Sequence, residues 1–91
     1  MMNTEEAFLQ KMIDGQRDRQ AEAELDMMSV LHSIKQEVAT ADLHIEHGYS
    51  FDASNFSRRA AEMTKFSADR DNAARFLGQL ERRLLILKDG V

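Results

Sequence analysis

The stretch MTKFSADRDNAARFLGQLERRLLIL, residues 63–87, carries the clearest pattern in the chain. Its apolar residues are spaced alternately three and four positions apart, which is the heptad spacing of a coiled-coil seam. The seam members are Met63, Phe66, Ala73, Leu77, Leu80, Leu84 and Leu87. Arg70 takes the one seam position that is not apolar, where a polar residue typically fixes register or pairs across helices. The candidate acidic partners are Asp26, Glu37 and Asp42.

Outward from this stretch, the sequence predicts three helices, over residues 4–13, 18–47 and 53–88. Helix-period spacing over 18–47 is set by Ala21, Leu25, Met28, Leu31, Ile34, Val38, Ala41 and Ile45. Gly48 follows the last of these residues and is typical of a helix C-terminus, and Asp52 or Ser54 can cap the next helix. Asp14-Gly15 predicts a break that ends the short N-terminal helix.

The expected fold is all-α: the short N-terminal helix followed by an antiparallel hairpin of the two long helices. We expect a homo-oligomer, a dimer or a multiple of dimers, because a two-helix hairpin buries little apolar surface by itself. The seam of hairpin and oligomer is predicted to comprise Leu31, Ile34, Val38, Met63, Phe66, Leu77, Leu80 and Leu84. The alternative is a three-helix bundle closed by the N-terminal helix.

Composition excludes several classes of protein. The 91 residues form one domain with a formal net charge of −4, and the absence of cysteine excludes disulfide scaffolds, cysteine-bound zinc and thiol nucleophiles. No signal peptide or membrane-spanning segment is evident, so we expect a cytoplasmic protein without a membrane partner. The acidic balance argues against nucleic-acid binding.

Catalytic and metal motifs are missing from the sequence. There is no glycine-rich phosphate loop, and neither His-Glu-x-x-His nor Gly-x-Ser-x-Gly occurs, so we expect no enzyme activity and no cofactor. His44 and His47 lie three apart, but Glu46 does not share their face and His32 is three turns away. We therefore expect surface histidines and no metal site.

Two groups of residues are candidate binding sites. Phe8, Leu9, Met12 and Ile13 form an apolar edge that can pack in the hairpin core, swap onto a second subunit or bind a larger partner protein. Residues 1–47 hold 4 basic and 10 acidic side chains, whereas residues 48–91 hold 8 and 6. The excess of basic residues in 48–91 can orient the second long helix against the acidic first one. Alternatively, it can supply a patch that binds an anionic small molecule, formed by Arg58, Arg59, Lys65 and Arg70.

Binding without catalysis is therefore the expected function. The first hypothesis is a self-associating adaptor or inhibitor that docks on a larger protein. Small, acidic, cysteine-free helical chains of this kind are common among phage and mobile-element accessory proteins. The second is an oligomer that sequesters an anionic ligand such as a nucleotide. The third is a structural assembly component whose task is to oligomerise.

Overall fold

The computed structural model describes residues 4–89 and shows two helices, α1 (Thr4–Glu46) and α2 (Ser54–Asp89), joined by a short turn. No strand occurs within residues 4–89, and the helices pack as an extended hairpin. The hairpin measures 71 × 17 × 15 Å, and its radius of gyration is 20.7 Å. A compact chain of this length has a radius of gyration of about 12 Å. The all-α hairpin predicted from the sequence is confirmed.

The predicted break at Asp14-Gly15 is wrong, because α1 runs without interruption from residue 4 to residue 46. An isolated glycine inside a helix costs only about 1 kcal/mol relative to alanine. Ile13, just before this glycine, is the most deeply buried large side chain described, with 1% of its surface exposed. The burial of Ile13 against α2 therefore outweighs the tendency of Gly15 to break the helix. The short N-terminal helix and the three-helix bundle are replaced by one long α1.

Two heptad seams face each other along the hairpin. The predicted seam of α2 is at least half-buried along its length, and it extends one heptad further toward the hairpin connection. In heptad notation its a and d positions are Phe56, Arg59, Met63, Phe66, Arg70, Ala73, Leu77, Leu80, Leu84 and Leu87. The a and d positions of α1 are Leu9, Ile13, Gln16, Gln20, Ala23, Met27, Val30, Ile34, Glu37, Ala41 and His44.

The predicted seam of hairpin and oligomer includes three α1 residues, which the structure divides between the helix interface and the surface beside it. Ile34 lies in the seam, but Leu31 and Val38 are 43% and 45% exposed and occupy e positions beside it. The apolar residues of α1 cover more than one face, so their spacing alone does not select which face packs. The regular heptads of α2 select the packing face of α1, because the core positions of the two helices must lie opposite each other along the whole hairpin.

The best-packed part of the core lies at the open end of the hairpin, opposite the turn. Leu9, Ile13 and Leu84 form a buried cluster there, and three further leucines of α2 pack against it. These are Leu77, Leu80 and Leu87. Full burial of one such aliphatic side chain stabilises the fold by about 1.5–3 kcal/mol.

The turn between the helices is closed by backbone and side-chain hydrogen bonds. Gly48 has a φ of +74°, and the amide of Tyr49 donates to the carbonyl of His44 at 2.8 Å, which together form a Schellman C-cap as the sequence predicts. Asp52 then accepts a hydrogen bond from the amide of Ser54 at 3.0 Å. The hydrogen bonds from Ser54 lower the pKa of Asp52 below its usual 3.8.

Candidate functional site

Two ion pairs between the helices show which residues of α1 and α2 face each other. Arg17 lies 3.5 Å from Glu81, and both occupy e positions. Glu5 lies 3.3 Å from Arg83, and both occupy g positions. In an antiparallel pair of helices the b and e positions of both therefore share one flank, and the c and g positions share the other. The two flanks present different chemistry.

A third interhelical ion pair lies inside the seam itself. Nε of Arg59 is 3.5 Å from Oε1 of Glu37, and the two side chains are only 26% and 20% exposed. Arg59 also donates to Glu62 at 3.3 Å. Within residues 4–89, the buried Oε2 of Glu37 has no hydrogen-bond partner. The pair places opposite charges on facing helices. Its contacts offset only part of the free-energy cost of removing the two charges from water.

The four residues predicted to bind an anionic ligand do not converge. Arg59 is engaged by Glu37 and Glu62, so its guanidinium is already opposed by two carboxylates. Arg58 and Lys65 occupy c positions two turns apart and are exposed. Arg70 lies in the seam and pairs with its neighbour Asp71 at 3.2 Å instead of with an acid on α1.

The predicted partner-binding edge is divided between core and surface. Leu9 and Ile13 are buried against Leu84, which matches the alternative of core packing. Phe8 is 62% exposed and Met12 is half-buried. Two of the four side chains therefore remain accessible to a partner, both on the flank that carries the c and g positions.

A groove of about 480 Å³ opens on this c and g flank near the middle of the hairpin. Ala23 and Ala73 form its floor, because two small residues face each other at d positions. Its walls contain two phenylalanines and three acidic side chains, with one arginine. These are Phe66, Phe76, Glu22, Asp26, Asp69 and Arg19. The groove therefore combines apolar and acidic surface.

Exposed apolar side chains continue from this groove toward the open end. Phe76 at the groove is 54% exposed, and Ile86 is 63% exposed at the level of Phe8. We call this surface, Phe8, Met12, Phe76 and Ile86 with the groove, the groove flank. From the sequence, Phe76 and Ile86 are surplus apolar residues that favour self-association, and they are not part of the predicted partner-binding edge. Their g and c positions follow once the α2 heptads are assigned.

The opposite flank, made of b and e positions, carries an apolar ridge. Met28, Leu31, Val38 and Ile45 lie along α1 there, with exposed fractions between 43% and 70%. The α2 side chains at the same levels are small, and they include Ala60 and Ser67. We call this surface the apolar flank. The sequence assigns all four of its α1 residues to the inward-facing stripe, whereas the structure leaves them exposed.

The histidines near the turn lie among aromatic rings. His44 bonds through Nδ1 to the carbonyl oxygen of Thr40 at 2.9 Å, and its ring is 6.1 Å from the rings of Tyr49 and Phe51. Across residues 4–89, no three histidine or acidic side chains are grouped to hold a metal ion. Neither helix, over the same range, has a stretch long and apolar enough to span a membrane.

Comparisons with known proteins give no relative from which a function could be transferred. The chain matches no protein-family model, no curated protein and no solved structure.

Proposed function

We propose that this chain is a non-enzymatic interaction protein, a small adaptor or inhibitor that associates with itself and docks on a larger protein. The observation that carries the proposal is the placement of large exposed apolar side chains on both flanks of a thin hairpin. An exposed leucine or phenylalanine alone needs no explanation, but rows of them at heptad spacing are typical of interaction surfaces.

The total surface supports the same proposal. A compact monomer of 10.4 kDa exposes roughly 5,400 Å². This hairpin exposes 6,980 Å², and only seven hydrophobic residues among those described are buried. The excess is similar in size to the total area of a standard protein–protein interface, about 1,600 Å². Association is the direct way to bury it.

The groove flank is the surface that we assign to the larger partner. Its apolar residues and its Ala23–Ala73 floor suit an amphipathic helix of the partner, which would lay its apolar face in the groove. The acidic residues Glu22, Asp26 and Asp69 along the walls favour a partner segment with basic residues beside its apolar ones.

Affinity capture with matched surface variants tests this proposal. The tagged chain and its variants Phe8→Asp, Ile86→Asp and Leu25→Asp are exposed to an extract of the source cells, and bound proteins are weighed by native mass spectrometry. The three residues are 62%, 63% and 66% exposed, so each variant should keep its helices. Leu25 is the control, because it lies on the outer face of α1.

We expect stoichiometric capture of one larger protein by the unmodified chain and by Leu25→Asp. Phe8→Asp and Ile86→Asp should lose it, and so should Met12→Asp if circular dichroism shows that it stays folded. Capture that persists in Phe8→Asp and Ile86→Asp would contradict the assignment of the groove flank. The absence of any stoichiometric partner would contradict the adaptor or inhibitor function.

A further inference from the structure

We propose that the apolar flank is the surface on which a second copy of this chain docks, with the two-fold axis parallel to the long axis of the hairpins. This inference rests on the self-association included in the proposed function and names its surface. In this arrangement α1 of each copy lies against α2 of the other, antiparallel to it. The result is a four-helix bundle in which the turns of both hairpins are at the same end.

Steric complementarity favours this arrangement. The register of Arg17 with Glu81 places Leu31 level with Ser67, and Val38 level with Ala60. Rotation about a two-fold axis parallel to the hairpin does not shift residues along it. The large side chains of one copy therefore meet the small side chains of the other. Apolar residues at a, d and e positions are typical of helices in bundles, whereas a two-stranded coiled coil needs only a and d.

The apolar flank is indented on its α2 side. A shallow groove of about 500 Å³ opens there, and Met27 and Met63 lie at its base. Its α2 wall is made of Thr64, Ser67 and Ala68, with Asp71 at its edge. Leu31 of the second copy lies at the level of Ser67 in the proposed bundle. The groove therefore offers room at the position where that side chain arrives.

The charges at the open end agree with the same axis. Arg17 and Glu81 lie level with each other on the apolar flank, at 57% and 47% side-chain exposure. The two-fold axis brings Arg17 of one copy opposite Glu81 of the second copy, so opposite charges meet across the interface as they do within the hairpin. At this pair the polar half of the flank is compatible with the proposed contact.

The surface area that each arrangement can bury favours the fully overlapping dimer over a staggered one. A face of 71 by 17 Å offers on the order of 1,200 Å² to a second copy that overlaps it fully. Stable interfaces bury roughly 800 Å² per partner. A staggered dimer, in which only the halves near the turns overlap and Val38 meets Val38, offers about half the full area and falls below that size.

Sedimentation equilibrium of one variant and its matched control tests the surface. Val38→Glu places a charge in the centre of the apolar flank, and Leu43→Glu places the same charge on the opposite flank of the same helix. Both residues are exposed, at 45% and 56%, so both variants should keep their helices by circular dichroism. We expect dimers for the unmodified chain and for Leu43→Glu, and at least about tenfold weaker association for Val38→Glu.

The outcomes distinguish the surface from the proposed function. Dimers that persist unchanged in Val38→Glu would overturn the apolar flank while leaving self-association in place. A monomeric unmodified chain at all concentrations would overturn both, and partner capture would then stand alone. If Val38→Glu fails to fold, Ala60→Leu, with Ala61→Leu as its control, makes the same test from the α2 side by filling the space that Val38 of the second copy needs.

Disulfide formation tests the direction of packing, because the chain contains no cysteine of its own. A Val38→Cys chain and an Ala60→Cys chain are mixed under oxidising conditions, and the products are weighed. A disulfide needs Cα atoms within about 7 Å. We expect the mixed product, in which one Val38→Cys chain is joined to one Ala60→Cys chain, to dominate. A dominant product of two Val38→Cys chains would instead show that α1 packs on α1 of the second copy, and it would overturn the proposed axis.

Discussion

At the residue scale, neighbouring apolar side chains of α1 have different roles that hydrophobicity does not reveal. Ile13 is 1% exposed and packs in the open-end core, whereas Phe8, five positions earlier, is 62% exposed. Both belong to the edge that the sequence assigns to a partner. Only the position of each residue relative to the α2 seam separates the buried residue from the exposed one, to which we assign a binding role.

Replacing these two residues by alanine should therefore have unequal effects. Ile13→Ala leaves a cavity beside Leu84 and should lower the free energy of unfolding by about 2–4 kcal/mol, whereas Phe8→Ala should change it by less than about 0.5 kcal/mol. Urea denaturation followed by circular dichroism at 222 nm measures both. Equal losses for the two variants would show that Phe8 packs as deeply as Ile13.

Gly15 and Gly48 differ in the backbone conformation that each adopts. Gly15→Ala adds a Cβ with nothing within 4 Å, in a helical conformation, and should raise the free energy of unfolding by about 0.5–1 kcal/mol. Gly48→Ala must adopt the φ of +74° and should lower it by about 1 kcal/mol or more. Thermal unfolding at one protein concentration compares them. A lower Tm for Gly15→Ala would indicate that α1 needs flexibility at this position.

Asp52 gives the turn a defined pH dependence. Hydrogen bonds from Ser54 stabilise its charged form, so its pKa is lower in the folded protein than the unfolded value near 3.8. The stabilisation is present above that pH and is lost as the pH falls through the lower folded pKa. Asp52→Asn should therefore be less stable than the unmodified chain at pH 7 and equal to it at about pH 2. Urea denaturation at both pH values checks this, and an equal difference at both would refute it.

At the scale of the helices, the polar residues in the seams fix the pairing of α1 with α2. Leucines and alanines can slide past one another by a heptad, but Glu37 and Arg59 are level only in one register. This selectivity is accompanied by incomplete hydrogen bonding, since among the described residues Oε2 of Glu37 is unpartnered. The pair is thus a stronger determinant of register than of stability.

Removing one or both members of the pair should separate these effects. Arg59→Leu leaves Glu37 half-buried without its partner and should lower the free energy of unfolding by about 1–3 kcal/mol. The double variant Glu37→Leu with Arg59→Leu should recover most of that loss. Guanidinium denaturation of the two variants gives the comparison. A double variant as unstable as the single one would mean that the pair itself stabilises the hairpin.

At the scale of the whole molecule, elongation sets the balance between core and surface. A hairpin 71 Å long and about one helix thick buries only the line where its two helices meet. Most of its apolar residues beyond a and d positions therefore stay exposed in the monomer. The proposed dimer would bury one flank of each hairpin and leave the groove flank open for a different protein.

Thermal stability should consequently depend on protein concentration. For a dimer that unfolds to separate chains, each tenfold rise in concentration stabilises the folded dimer by about 1.4 kcal/mol, and the Tm should rise by a few degrees. Differential scanning calorimetry over a hundredfold range of concentration measures this shift. Val38→Glu should show a lower Tm than the unmodified chain at each concentration. A constant Tm for the unmodified chain would count against self-association.

The sequence by itself determined the helical class, the position of the turn and the seam of α2. These depend on local features, namely heptad spacing from Met63 to Leu87, a glycine at a helix end and the absence of proline. Because such features act within a few residues, they are readable without the fold. The boundaries of α2 lie one residue from the predicted ones.

Only the tertiary structure decided the continuity of α1 and which of its faces packs. Gly15 disfavours a helix by about 1 kcal/mol, and burial of Ile13 against α2 exceeds that amount. Likewise, α1 has apolar residues on more than one face, and only one face can contact the seam of α2. That contact buries Val30 and leaves Leu31 and Val38 exposed. Both outcomes depend on contacts between residues far apart in the sequence. The spacing of apolar residues within α1 therefore could not predict them.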